Sequence, residues 1–481
     1  MLLETGAALA ERAHLGKHGE RRLKNPPMKK MILLAAFLST STIATGQTAE
    51  IRDAALQDDV AWDITEGLTT EVGQRLAGTE AEARARDWAT AKLKSLGFAN
   101  VRVEPFDMPV WVRGAESAEI VSPFPQKLVL AALGNSAATP DAGITAEVIG
   151  FDGIEALKAA PDASVRGKIV FVTHAMNSTQ DGSSYGAFGI VRRQGPSIAS
   201  RKGAAAIVIR SIGTDHHRNP HTGVQMWAEG TTPIPAAALS VPDAEQLQRI
   251  LKRGKPVTMK LVLTPKNIGT RQSGNVIAEV PGRDPKAGIA LVGCHLDSWD
   301  LGTGAIDDAA GCGIVAAAAK QVMDAGRPLR TIRVVWFGAE EVGLFGGFAY
   351  RDRHKSEKHA LLAESDFGAD RIWKIESKVA PAALPLVATL ATRLQPLGIG
   401  LGGNEAHGGS DIGPLAATGV PVIALNQDGS RYFDLHHTPD DTLDKIDPAQ
   451  LRQNVAAYAT MLSVLANDTT DLGPVTVQPE G

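Results

Sequence analysis

Cysteine is nearly missing from this chain: Cys294 and Cys312 are the only two in 481 residues. So few thiols exclude a disulfide-built scaffold and a thiolate zinc module, and a chain of this length can hold its core without either. A bridge between the two stays open, but the preferred reading is two buried small hydrophobes. An excess of one charge is also lacking. The formal net charge of −4 leaves no basic footprint for nucleic acid and implies no acid-rich partner. Beyond residue 46 no apolar run is long enough to span a bilayer, so stable membrane insertion is not expected. The remaining composition, 44% hydrophobic, is that of an ordinary globular protein.

The length exceeds one typical core, so two domains and a leader are expected. Residues 28–46 have the basic start, short apolar centre and small-residue end of a secretory signal, with cleavage before Gln47 and translation starting at Met28. The implied address is exported, either periplasmic or secreted. Apolar residues at Ala81, Ala85, Trp88, Ala89, Leu93 and Leu96 predict a helix with Thr79 as N-cap and Gly97 just past its end. A strand follows at 101–106. From 126 to 265 the texture changes to short β runs, such as 167–172 and 205–209, between Gly-rich turns. The organisation expected is therefore leader and signal 1–46, first part of a catalytic domain 47–125, inserted β-rich unit 126–265, catalytic remainder 266–470, and tail 471–481.

The chemistry gathers in the catalytic remainder. The apolar run 288–293 reads as a buried strand that delivers His295 and Asp297 to a sheet edge, where open α/β sheets bind ligands. Residues two apart on a strand share a face, so Asp297 is placed to accept the proton of the His295 nitrogen that holds no metal. Asp307 and Asp308 precede an Ala-rich helix over 314–323. Asp308 reads as a helix-capping acid, whereas a carboxylate at Asp307 has two oxygens and can bridge two cations. A second apolar strand, 331–337, ends in Glu340 and Glu341. Neighbouring side chains diverge there, so one can ligate metal while the other faces a water. Asp366 and the pair His436-His437 complete the order.

These motifs together resemble the M28 family of zinc exopeptidases, and its carboxypeptidase Q branch in particular. The likeness runs over His295-Leu-Asp-Ser-Trp-Asp300, Ala305-Ile-Asp-Asp308, Phe337 to Leu344, Glu364-Ser-Asp366 and His437 to Leu443. The resemblance implies one metal on His295, Asp307 and Asp366, a second on Asp307, Glu341 and His437, Glu340 as general base, Asp297 orienting His295, and a cis peptide after Asp307. It implies two zinc ions per chain, although a His/carboxylate set also suits cobalt or manganese. It further implies a protease-associated character for the insertion, a small peptide as substrate and a homodimer.

Candidate substrate contacts are His436, His407 and Ser410 in a Gly-rich loop where Ile412 replaces a His common in the family, and His221. The cluster at 216–223 reads as a solvated loop, with His221 leaning over the cleft as a lid. The fold class expected is α/β, a mixed and mostly parallel sheet flanked by helices. The activity expected is metal-dependent removal of a terminal residue from dipeptides or short peptides, with the recognised terminus open. Three alternatives stand beside it: an aminopeptidase acting on longer peptides, a one-zinc glutaminyl cyclase, and a non-catalytic relative.

Overall fold

The computed structural model describes residues 46–476. The expected signal and start site lie outside them. Among the described residues no helix is long and apolar enough to cross a membrane.

Two eight-stranded mixed sheets organise the chain. The centre of the first is the strand Ile289–His295, which pairs in parallel with Thr331–Phe337 on one side and His359–Glu364 on the other. It is apolar on both faces because both are covered. Ala290, Val292 and Cys294 pack into a core with the helix Ala310–Ala325, and Leu291 packs on the other face with Ile277, Val335, Phe337 and Tyr350. Alanine-rich sequence makes that helix thin enough to be buried from Ala310 to Ala319. At Gly313 a Cβ would stand 2.5 Å from the Ala61 carbonyl, so the crossing with helix Val60–Gly67 requires glycine. The long strands Ala99–Val112 and Lys266–Val280 close one side of the sheet as an antiparallel pair. Helix Glu80–Ser95 starts with the Thr79 hydroxyl accepting from Glu82 N–H, and Gly97 follows with φ +88°, as the pattern predicted.

The second sheet runs Gln126–Leu128, Glu116–Ser122, Thr258–Leu263, Ile144–Asp152, Ile169–Thr173, Ala206–Arg210, Ala236–Leu239 and Leu130–Ala132. It starts at Glu116, ten residues before the expected boundary at 126. Only Arg113, Gly114 and Ala115 separate the strand that ends at Val112 from the one that starts at Glu116, so no long linker marks the change. Entry and exit of this unit touch: Ala115 N–H donates to Thr264 Oγ1 at 2.8 Å, and Thr264 N–H donates back to the Ala115 carbonyl at 3.0 Å.

The cysteine reading is corrected. Cys294 and Cys312 form a disulfide, because the strand end and helix start face one another with Cα atoms 5.1 Å apart.

Candidate metal centre

His295, Glu340, Glu341 and Asp366 stand at or just past the C-terminal ends of strands in the first sheet, while Asp307 lies in the helical turn Ala305–Ala309 that follows the central strand. His295 closes its strand, Glu340 and Glu341 follow Thr331–Phe337, Asp366 follows His359–Glu364, and His437 follows the short helix Tyr432–Leu435. Two of these turns carry left-handed backbone at non-glycine residues, Ala339 at φ +60° and His437 at φ +60°. Such positions persist only where surrounding structure enforces them, and they cluster at functional sites. The Asp307–Asp308 peptide is cis.

The side chains converge as two triads sharing one residue. Asp307 Oδ1 lies 3.0 Å from His295 Nε2, which is also 3.3 Å from Asp366 Oδ1. Asp307 Oδ2 lies 3.2 Å from His437 Nε2, which is 2.8 Å from Glu341 Oε2. Within each triad the candidate ligand atoms lie within 4.8 Å of one another. Two observations fit this set to a pair of divalent cations. Asp307 Oδ2 and Glu341 Oε1 are buried without a hydrogen-bond partner, and the donors are the imidazoles and carboxylates that borderline cations prefer.

The electrostatics agree. Burial pushes Asp366, Glu340 and Glu341 upward, and neighbouring acids add to it. Burial opposes the charge on Asp307 too, yet His436, His295 and His437 hold it well below the usual carboxylate range. Cations would be the largest local charges and would keep all these acids ionised.

The orienting contacts differ from expectation. The Asp297 carboxylate is 3.8 Å from His295 Nδ1, whereas the Asp297 backbone carbonyl is 3.0 Å away and takes the imidazole bond. The carboxylate instead accepts the backbone N–H groups of Glu340 at 3.1 Å and Glu341 at 3.3 Å. Turning into the loop after His295 points the side chain at the neighbouring strand end. Asp308 behaves as read, accepting from Gly311 N–H at 3.0 Å and also from His295 N–H at 3.2 Å.

A cavity of about 400 Å³ opens onto the triads. Ser410 and His436 line it; His407 is exposed and does not, because the glycines beside it carry the loop past the cleft. His221 is buried, with Nε2 3.1 Å from His436 Nδ1. The loop before it is anchored rather than solvated: His217 Nε2 lies 2.8 Å from the Asp434 carbonyl, although His216 stays exposed. Four contributors have no counterpart in the sequence reading. Tyr432 donates its hydroxyl to Asp307 Oδ1 at 3.2 Å, and only its closeness to His436 hinted at it. Arg75, fully buried, donates to the carbonyls of Leu296, Thr303 and Gly304 at 2.5, 2.7 and 2.8 Å, tying together the loops that flank His295 and Asp307. Tyr185 and Arg192 reach the cavity from the second-sheet unit. That unit also holds His437 at both ends, since Thr222 N–H donates to the His437 carbonyl at 3.0 Å and the Thr222 carbonyl is 3.4 Å from Nδ1.

The profile of peptidase family M28 matches residues 275–462. Carboxypeptidase Q of Bos taurus is 36% identical over 83% of this chain and 84% of its own length. The crystal structure of a peptidase M28 precursor from Shewanella amazonensis SB2B superposes with a TM-score of 0.89 at 49% identity, covering 90% of this chain and 99% of that one. A zinc aminopeptidase from Bacillus subtilis shares the fold, with a TM-score of 0.61 at 20% identity over 86% of this chain and 97% of its own. The chain belongs to peptidase family M28, is similar to carboxypeptidase Q along most of its length, and is a metallopeptidase.

Proposed function

We propose that the protein is a two-zinc exopeptidase that hydrolyses dipeptides or short peptides. The observation that carries this reading is Asp307, whose two oxygens each face a different imidazole, His295 and His437. His295, Asp307 and Asp366 would hold one ion, and Asp307, Glu341 and His437 the other. The chemistry that zinc would supply when held there is Lewis-acid activation of a water, whose pKa it would lower from about 15.7 toward about 7, and of the peptide carbonyl. Glu340 lines the same cavity without belonging to either triad, and takes the proton of the attacking water before passing it to the departing amine. Asp297 keeps Glu340 and Glu341 diverging by pinning both of their N–H groups. Tyr432 and the Thr222 carbonyl hold Asp307 and His437 in place. No side chain needs to form a covalent bond to substrate. The basic and apolar leader supports an exported protein.

The test is release of amino acids from a dipeptide panel by purified protein, measured with zinc and with chelator, beside metal analysis. Chelator-sensitive release with two zinc ions per chain is expected. Ring closure of N-terminal glutamine with a single ion would establish a cyclase instead, and two tightly bound ions without turnover would establish a non-catalytic relative.

A further inference from the structure

The disulfide is built into the metal centre. Cys294 is the residue before His295 on the central strand, and Cys312 is the third residue of the helix Ala310–Ala325. The two are 18 positions apart, and the segment between them carries His295, Asp297, Asp307 and Asp308. Two of the three ligand candidates in one triad, His295 and Asp307, therefore stand on the closed loop. The other triad has only Asp307 there and draws Glu341 and His437 from outside it. Closing a loop removes conformations from it, so groups carried on the loop are held more nearly in one place.

The bond also bears on the backbone of His295. Cys312 Sγ lies 3.2 Å from the His295 carbonyl, and both sulfurs lie within 4.8 Å of a ligand oxygen of Asp308. Asp308 in turn accepts the N–H groups of His295 at 3.2 Å and Gly311 at 3.0 Å, tying strand end to helix start beside the bridge. Cys294, Cys312 and Asp308 have no exposure. Two thiols in place of the bond need more room, and they bring S–H donors to the same carboxylate and carbonyl. The helix cannot give that room. A Cβ at Gly311 would run into the Ser365 carbonyl, and one at Gly313 would stand 2.5 Å from the Ala61 carbonyl. The displacement therefore falls on the strand end that carries His295.

We propose that the Cys294–Cys312 bridge is a positioning device for the metal centre, completed only in an oxidising compartment, so that the chain gains its full affinity for the ion at His295 on export. This rests on the two-metal, exported reading above. In a reducing compartment the two thiols persist. Beyond it they pass two electrons and two protons to a disulfide-bearing oxidant, the bond between the two sulfurs forms, and the oxidant leaves as two thiols. Neither sulfur is exposed in the folded chain, so the exchange precedes the final packing of the core, and the enzyme keeps the state in which it folded.

The full chain is folded with glutathione disulfide to give the bridged form and with a trialkylphosphine to give the unbridged form, and thiol counting verifies each. Two backgrounds separate the ions: His437→Ala keeps the position of His295, and His295→Ala keeps that of His437. Zinc affinity is read by competition with a chromophoric chelator. Loss of the bridge is expected to weaken zinc about 10- to 100-fold in the His437→Ala chain and less than about threefold in the His295→Ala chain. Equal losses in both backgrounds, the signature of a bond that only stabilises the fold, would overturn the proposal, as would no loss in either. The double variant Cys294→Ala with Cys312→Ala removes the tether without adding bulk or S–H donors, so its affinity at the His295 position should fall between the two forms. If circular dichroism shows that the unbridged chain does not fold, this variant decides: a loss confined to the His295 position supports the assignment, and an equal loss or none sinks it. A bridged wild type that binds no zinc would overturn the two-zinc reading and the bridge's role with it, whereas tight zinc binding indifferent to the bridge would remove that role alone.

Discussion

The two sides of the cleft are built on different principles. On the side of the first sheet the charged groups are acids and imidazoles, set at strand ends and in the turns that follow, with Asp297 bracing Glu340 and Glu341 and Arg75 bracing the loop after His295. On the side of the second-sheet unit they are cations, Arg192 and Arg193 on the helix Ile190–Arg201, with Tyr185 beside them on the helix Ser183–Phe188. The acidic side gathers ligand atoms that could hold cations, whereas the other side presents guanidinium groups. Tyr185, Arg192 and Arg193 line the same cavity as the triads, so the insertion forms part of the cleft wall although none of the metal ligand candidates stands on it.

Substitutions on the acidic side should have the largest effects. Asp307→Ala removes the shared ligand of both triads, so metal analysis should find zinc lost from both positions and peptide assays should find no turnover; a variant that kept both ions would dissolve the two-triad arrangement. Glu340→Gln should keep both ions while turnover falls by about 10²–10⁴. Retention of peptidase activity in this variant would remove Glu340 from its role as base. Asp297→Ala frees the two N–H groups beside Glu340 and Glu341 and should weaken zinc binding about 10- to 100-fold in a competition titration with a chromophoric chelator. Unchanged affinity would make Asp297 a bystander.

The smallest expected effect lies away from the cleft and provides a reference for charges that are already paired. Burial pushes Glu104 up, but hydrogen bonds from His354, Arg353 and Arg102 hold it at about 2 against a usual 4.5. Burial pushes His354 down, and Glu104 and Glu357 outweigh that, leaving it above its usual 6.5. Glu104 therefore contributes stability that is complete above about 4.5 and lost as pH falls toward about 2. His354 contributes stability that is complete below about 6.5 and lost as pH rises through its higher folded value. Urea unfolding across pH should show both contributions intact between about 4.5 and 6.5, and Glu104→Gln should flatten the acid limb. An unaltered pH profile in that variant would show that the cluster adds nothing to folding.

The acidic side was legible in the sequence because its residues are attached to strong local signals. The apolar runs 288–293 and 331–337 announce buried strands, and the ligands follow them at once. The Asp297 carboxylate was misassigned because strand alternation fails as soon as the chain turns at Leu296. His407 was placed in the cleft by its loop, yet glycines on either side of a turn leave the path of that loop undetermined. The disulfide was missed because sequence separation carries no information about two elements facing across a core. Arg192 and Arg75 had no signal at all. Each is a polar residue in an ordinary context, and what it does depends on segments more than two hundred positions away, His437 for one and Leu296 to Gly304 for the other.

Arg75 also limits how the molecule can be divided. The family profile begins at residue 275, but the strand Ala99–Val112 and the helix Val60–Gly67 build the sheet and core of that same half, and Arg75 fastens its two central loops. A fragment cut at the profile's edge would carry every metal ligand candidate and still lose the clasp that sets their spacing, so any trimmed version for engineering has to keep the early segment joined to the late one.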